Sequence, residues 1–200
     1  MQYSEKSRAR ARYEEIGYNF MADKVITVNK QCLKLVVPGG DCEGIVIPNG
    51  FDENLFTEIT PKSLRSSGPH FVHAGSFNNY RRPEKLISSI SHNGSSFHHI
   101  GRKIEMDIEE RESKSLIQYG VLSYIKTLEI LSGADCGVIF SSSYGFESTT
   151  KLYDYLALGL DVLVIEPKKA QKGFLYEMSQ TSNKVYLCKN ELDHYREIQE

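Results

Sequence analysis

Ser148, Thr149, Thr150, Lys151 and Asp154 lie within seven positions of one another, and their types and spacing could do chemistry on an anion. Gly145 to Thr150 reads as a polar turn of small residues. It leads into a helix with Leu152, Tyr155 and Leu156 on one face, a stop at Gly159, and a buried strand from Val162 to Ile165. A helix that starts there aims its free N–H groups, with three hydroxyls beside them, at one small volume. Lys151 adds a full positive charge in the first turn, poorly placed for the helix dipole but well placed for a phosphate resting on that dipole. Asp154 follows one turn later, where a carboxylate can accept hydrogen bonds from sugar hydroxyls. The same residues also suit a capped surface helix with a Lys–Asp ion pair, and the segment alone leaves both readings open.

The elements that must position these groups follow from the pattern around them. From His70 onward, strands are predicted over 70–74, 97–100, 115–119, 136–140, 162–165 and 185–188, separated by helices at 83–90, 124–131 and 172–180 and the helix described above. Pro83 opens the first of these helices, with Leu86, Ile87 and Ile90 inward, and Leu128 and Leu131 face inward from the second. Residues 103–114 are heavily charged and read as a short helix or loop, and a last helix begins at Glu191. Strands alternating with helices, each strand leaving through Gly or Ser, predict an α/β fold: a doubly wound, parallel, Rossmann-like sheet. Ligands of such sheets bind beyond the carboxyl ends of the strands, here Gly75-Ser76, Gly101-Arg102, Gly120-Val121 and Ser141 to Thr150.

The first third of the chain reads differently. Residues 4–21 are predicted as a helix with a basic patch (Arg8, Arg10, Arg12) and an apolar stripe of Tyr13, Ile16, Phe20 and Met21. The patch suits acidic lipid headgroups, a protein partner or plain solvation. Lys24 to Val28 is an apolar strand, expected to be covered on both faces and to lack a partner strand in this chain. Asn29 to Val37 is a second helix, ended by Pro38-Gly39-Gly40, and Ile45 to Ile47 runs as a strand into the Pro48-Asn49-Gly50 turn. Residues 57–68 are polar, contain Pro and Gly, and read as a linker. The expected division is therefore 1–56, an appendage of helix, strand and hinge, and 57–200, the sheet domain.

Composition narrows the function. The 200 residues are one quarter charged with a formal net charge of -2 and a pI near 6.3, which gives no electrostatic case for nucleic acid or an anionic membrane as the main partner. No apolar run approaches the ~18 residues a bilayer span needs, and the N-terminal stretch lacks the apolar centre of a signal peptide. Cys32, Cys42, Cys136 and Cys188 show no CxxC spacing, so neither a zinc site nor a disulfide framework is indicated, and a cytoplasmic location is expected. His98 and His99 are neighbours in a strand and point to opposite faces, as do His70 and His73, so no metal site is expected. Ser141-Ser142-Ser143 lacks the GxSxG elbow, and Gly75-Ser-Phe-Asn-Asn is not a dinucleotide loop. Tyr119 and Tyr124 suit either base stacking or packing.

Four blocks in order carry a resemblance. They are Ala22-Asp-Lys-Val-Ile-Thr-Val-Asn29 with Ile47-Pro-Asn-Gly-Phe-Asp52 and Phe56; His73-Ala-Gly-Ser-Phe77 with Arg81-Arg-Pro-Glu84; Leu131-Ser-Gly-Ala-Asp135 with Phe140-Ser-Ser; and Lys151-Leu-Tyr-Asp-Tyr-Leu-Ala-Leu-Gly159. Together they resemble GT-B fold glycosyltransferases, specifically the large retaining "group 1" family that includes sucrose and bacterial polysaccharide glycosyltransferases. The resemblance implies that 57–200 is the domain that binds a nucleotide-diphosphate sugar, and that 1–56 is a remnant of the N-terminal acceptor domain.

By the same resemblance, Arg81 or Arg82 neutralises the diphosphate in place of a metal ion, and no separate cofactor is implied. Gly75 and Ser76 border the donor, backbone near Val121 meets the nucleobase, Ser148, Thr149, Thr150 and Lys151 serve the phosphate, and Asp154 holds the ribose. Departure of a nucleoside diphosphate builds negative charge, which preorganised donors and an Arg stabilise. The family's two glutamates eight positions apart fall here at Phe146 and Asp154, so the first is either lost or supplied by the neighbouring Glu147 as the donor-sugar contact, and the catalytic residues are left unassigned. A cleft between two domains implies that transfer needs an acceptor domain or partner subunit, and that this chain by itself is inactive. It also implies polysaccharide or glycoconjugate synthesis in the cytoplasm, with peripheral contact at the inner face of the membrane through the basic helix. The competing readings are a non-catalytic nucleotide-sugar-binding or interaction module and a sugar-nucleotide epimerase, which would need carboxylates and a His converging in the cleft.

Overall fold

The computed structural model describes residues 5–37, 42–64, 68–77, 83–92, 94–103, 109–141, 144–166 and 172–189. The Pro38-Gly39-Gly40 breaker, Arg81, Arg82, Ser142, Ser143 and the expected helix from Glu191 lie outside them.

The chain opens with α1 (Glu5–Met21), whose Tyr13, Ile16, Phe20 and Met21 are all exposed. The helix is tied down by Asn19, whose Nδ2 donates to the Val36 carbonyl at 2.6 Å. Next come β1 (Lys24–Thr27), α2 (Lys30–Val36), β2 (Glu43–Val46) and α3 (Glu53–Thr57). Asn29 caps α2 by accepting from the Cys32 N–H at 2.7 Å, and Asp52 caps α3 by accepting from Asn54 at 3.0 Å.

Here the structure corrects the expectation of a lone strand covered on both faces. β1 pairs in parallel with β2, from Lys24 opposite Glu43 to Thr27 opposite Val46, and α2 is the crossover between them. Exposure alternates along β1, and Ile26 is 62% exposed. A parallel partner reached through a helix leaves no local trace in sequence, and a Val-Ile run satisfies β-propensity on a half-covered strand as readily as on a buried one.

After the linker come β3 (His70–Ala74), α4 (Glu84–Ser91), β4 (Ser96–Ile100), α5 (Glu110–Ser113), β5 (Leu116–Gly120), α6 (Tyr124–Leu131), β6 (Cys136–Phe140), α7 (Thr150–Ala157), β7 (Asp161–Glu166), α8 (Phe174–Thr181) and β8 (Val185–Lys189). The six strands pair in parallel in the order β5-β4-β3-β6-β7-β8, with β3 and β6 at the centre. The chain thus builds outward from β3 to one edge, returns to the middle and builds to the other. This is the doubly wound Rossmann-like topology, with its switch point between β3 and β6.

Neighbouring residues of β7 show why its sequence is apolar without interruption. Val162 and Val164 join Val72, Leu128, Leu131, Leu152 and Tyr155 on one side of the sheet. Leu163 and Ile165 join Leu86, Ile87, Ile90, Phe97 and Val138 on the other. The segment joining the two units packs on the sheet domain, with the Lys62 N–H donating to the Glu129 carbonyl at 3.1 Å.

Candidate functional site at the switch point

At the exit of β3, Gly75 has a φ of +150°, and its N–H donates to the Ile100 carbonyl at 2.8 Å. A Cβ built there would lie 2.7 Å from Lys151 Cε and 3.2 Å from Lys151 Nζ. The Lys151 side chain therefore lies across Gly75, and the absence of a side chain at position 75 lets the ammonium reach the switch point. Two anchors hold this strand exit. The Ala74 N–H donates to Tyr155 Oη at 3.1 Å, and His99 Nε2 meets the Gly75 carbonyl at 2.9 Å. Burial pushes the Tyr155 hydroxyl well above its ordinary pKa, which keeps it protonated at any working pH.

On the β6 side, Thr149 takes the N-cap position of α7 in extended conformation with no side-chain cap bond. Ser148 Oγ is buried with no hydrogen-bond partner among the described residues, and Thr150 is exposed at the first helical position. The hydroxyls at this helix start are thus left over from capping, in the place where the helix offers unsatisfied N–H groups.

The loop before α7 is braced at three consecutive residues. The Gly145 carbonyl accepts from Phe174 N–H at 2.9 Å. The Phe146 carbonyl accepts from Asn29 Nδ2 at 3.0 Å and from Cys32 Sγ at 3.2 Å. Glu147 Oε2 accepts from Ser141 Oγ at 2.8 Å. Phe146 stacks on Tyr144 with ring centroids 5.3 Å apart, so the side chain at the first expected glutamate position belongs to the loop surface. Glu147 sends its carboxylate to the carboxyl end of β6.

Asp154 and Val121 belong to the other flank. Tyr124 Oη, from the start of α6, donates to Asp154 Oδ1 at 2.8 Å, and Val121 beside it is 81% exposed. Burial raises the Asp154 carboxyl pKa, opposed by the Tyr124 hydrogen bond and the charge on Lys151. The Tyr124 hydroxyl is pushed up to about 12 by burial first, then by its bond to Asp154 and the charges of Asp154 and Asp52. Gly75, Lys151, Ser148, Thr149 and Thr150 thus gather at the switch point, with Glu147 at the end of β6. Tyr124 ties Asp154 to the α6 start, and Ser76 is exposed just past Gly75. Arg81 and Arg82 fall outside the described residues. Sequence reasoning missed the ties from Asn29, His99 and Tyr155. Nothing local signals them, since each joins residues at least 24 positions apart.

The histidines divide between the two faces as the strand geometry requires, but they pair across strands. His73 and His99 stack with centroids 6.2 Å apart beside Phe77, while His70 Nδ1 and His98 Nε2 approach to 3.1 Å with Ser96 Oγ between them. His98 Nδ1 meets Tyr119 Oη at 2.8 Å. Among the described residues no group of three or more His, Cys, Asp or Glu is placed to hold a metal ion.

Burial, reinforced by His70, lowers the His98 pKa from 6.5 to about 4. Between those values the unfolded chain binds more protons than the folded one, so stability falls as pH drops from 6.5 toward about 4. His98→Gln should reduce that fall. Urea midpoints at about pH 7 and about pH 4.5 check it, and an equal drop in both proteins would refute it.

No family model matches the sequence, and no curated protein matches it. Solved structures do. The doubly wound, parallel Rossmann-like sheet is a fold shared with solved structures. The chain superposes on the crystal structure of the GtfA/B complex with a TM-score of 0.58 at 19% sequence identity, over 88% of this chain and 37% of that one. A looser overlap, with a TM-score of 0.42 at 14% identity over 86% of this chain and 43% of that one, is with the structure of the spinosyn forosaminyltransferase SpnP. The likeness establishes the fold, and the chain spans about 37% of the GtfA/B chain that it matches. No helix among the described residues is long and apolar enough to cross a membrane.

Proposed function

We propose that this chain carries the nucleotide-diphosphate-sugar-binding half of a retaining group 1 glycosyltransferase. In this reading Ser148, Thr149, Thr150 and Lys151 receive the diphosphate together with Arg81 or Arg82, and Gly75 and Ser76 form the floor beside it. Asp154 binds the ribose, backbone near Val121 meets the base, and Glu147 contacts the donor sugar. The observation that carries the reading is the convergence at the switch point: Lys151 lies across Gly75, at the start of a helix whose neighbouring Ser148 hydroxyl is buried with no partner among the described residues. The arrangement needs no metal ion, because the leaving group's charge is met by fixed donors and side-chain cations.

Transfer to a glycan, lipid or other acceptor is assigned to a cleft completed by an acceptor domain, whether on the same polypeptide or another, in polysaccharide or glycoconjugate synthesis at the cytoplasmic side of a membrane. Calorimetric titration with uridine, guanosine and adenosine diphosphates and their hexose conjugates tests the first step. At least one should bind, and Glu147→Gln should narrow the preference for the sugar conjugate over the bare diphosphate while leaving the diphosphate's affinity within about twofold. Failure of every nucleotide to bind would remove the reading. Donor hydrolysis by this chain alone would overturn the need for a completed cleft.

A further inference from the structure

The loop that presents Glu147, Ser148 and Thr149 is held by a residue 117 positions earlier in the chain. Asn29 is buried, and both ends of its amide are in use. Oδ1 accepts from the Cys32 N–H at 2.7 Å and caps α2, while Nδ2 donates to the Phe146 carbonyl at 3.0 Å. The backbone of Asn29 is itself fixed, since its carbonyl accepts from Thr27 Oγ1 at 3.0 Å. Cys32, one turn into α2, sends Sγ to the same Phe146 carbonyl at 3.2 Å. A second tie between the units, from Gln31 Nε2 to Glu177 on α8, touches no residue of the loop. Phe146 immediately precedes Glu147, so a shift of its peptide plane re-aims the Glu147 carboxylate and the Ser148 hydroxyl together.

We infer that Asn29 is a positioning residue for the donor site: the β1–α2 turn acts as a strap that fixes the Gly145–Thr149 loop from the N-terminal unit. The inference rests on the donor-binding reading for its consequence on affinity, though not for the strap itself. A primary amide suits this task, because its separate oxygen and nitrogen accept from one backbone group while donating to another. Any movement of the N-terminal unit against the sheet domain is then felt at Glu147, which couples acceptor-side motion to the donor pocket through one hydrogen bond and one thiol contact.

The two roles of Asn29 separate by substitution in the full chain. Asn29→Asp and Asn29→Ser keep an oxygen for the Cys32 N–H and so preserve the cap, but neither presents an amide N–H to Phe146. The thermal midpoint should fall modestly in Asn29→Ser and further in Asn29→Asp, which buries a carboxylate against the Phe146 carbonyl. Amide exchange in peptides covering 141–150 should quicken by about tenfold. Affinity for the nucleoside diphosphate that wild type binds should fall by about 5- to 10-fold, the scale of one lost net hydrogen bond. Gln31→Ala, which removes the other tie, should leave loop exchange unchanged. Both Asn29 variants showing wild-type exchange and wild-type affinity would overturn the strap and reduce Asn29 to a helix cap. If wild type binds no nucleotide, the donor reading fails, and the exchange measurement alone still decides whether the strap exists.

Discussion

Lys151→Met should weaken nucleoside-diphosphate binding by about 10- to 100-fold, the scale expected for a charge-assisted contact to phosphate in a partly enclosed site. The methionine is chosen because the lysine stem lies against Gly75, where a Cβ would come within 2.7 Å of Cε. A side chain of similar reach keeps that packing and removes only the charge. The loss should shrink as salt rises, because mobile ions screen the attraction between the ammonium and the diphosphate. A second consequence falls on Asp154: the Lys151 charge is one of the influences opposing the rise of its carboxyl pKa, so removing it should raise that pKa further. Calorimetry at two ionic strengths checks the first effect and carboxyl titration by NMR the second. An affinity within threefold of wild type at low salt would place the anion elsewhere, whatever the fold.

Most of the sheet domain was legible before any coordinates, for a physical reason visible in β3, β6 and β7. Strands buried on both faces must be apolar without interruption, and helices that cover them must repeat their apolar residues every three or four positions. Cys136–Phe140, the Val162–Ile165 run of β7 and the Leu86, Ile87, Ile90 face of α4 satisfy those demands locally, and β3 does so apart from His70 and His73. The stop at Gly159 was equally plain, since its φ of +76° is one that side chains resist. The strand order was not legible, because alternation implies parallel crossovers without saying which strands become neighbours. What escaped was everything set by contact between distant residues. The β1–β2 pair, the His70–His98 and His73–His99 pairs and the bond from Tyr124 to Asp154 each depend on register or on two elements arriving side by side. No periodicity records either. For the candidate site, the hydroxyl-rich helix start at Thr150 could be read directly, whereas the hydrogen bonds from Asn29 to Phe146 and from Ala74 to Tyr155 could not.

That anchor yields the largest expected change in stability. Gly137 is the second residue of β6, and a Cβ built on it would press against the ring of Tyr155, too close to Cγ, Cδ2 and Cε2 to be accommodated. Tyr155 is fully buried and held by the Ala74 N–H, so its ring has no vacant volume to enter. Gly137→Ala should therefore cost about 2–3 kcal/mol, the upper part of the range for overpacking a core, and lower the thermal midpoint by about 5–10 °C. The effect should reach the site as well as the core. A displaced ring withdraws its hydroxyl from Ala74, the residue before Gly75, and loosens the floor across which Lys151 lies.

Tyr155→Phe isolates the second part. It keeps the ring but leaves the Ala74 N–H without its acceptor, at a cost of about 1–3 kcal/mol. Tyr155→Leu vacates the volume that the new methyl of Gly137→Ala would occupy, so the double variant Gly137→Ala/Tyr155→Leu should be more stable than the sum of the two single losses predicts. Such non-additivity is the signature of two side chains competing for one space. Simple additivity in urea unfolding would show that the Gly137 methyl and the Tyr155 ring do not compete for one volume.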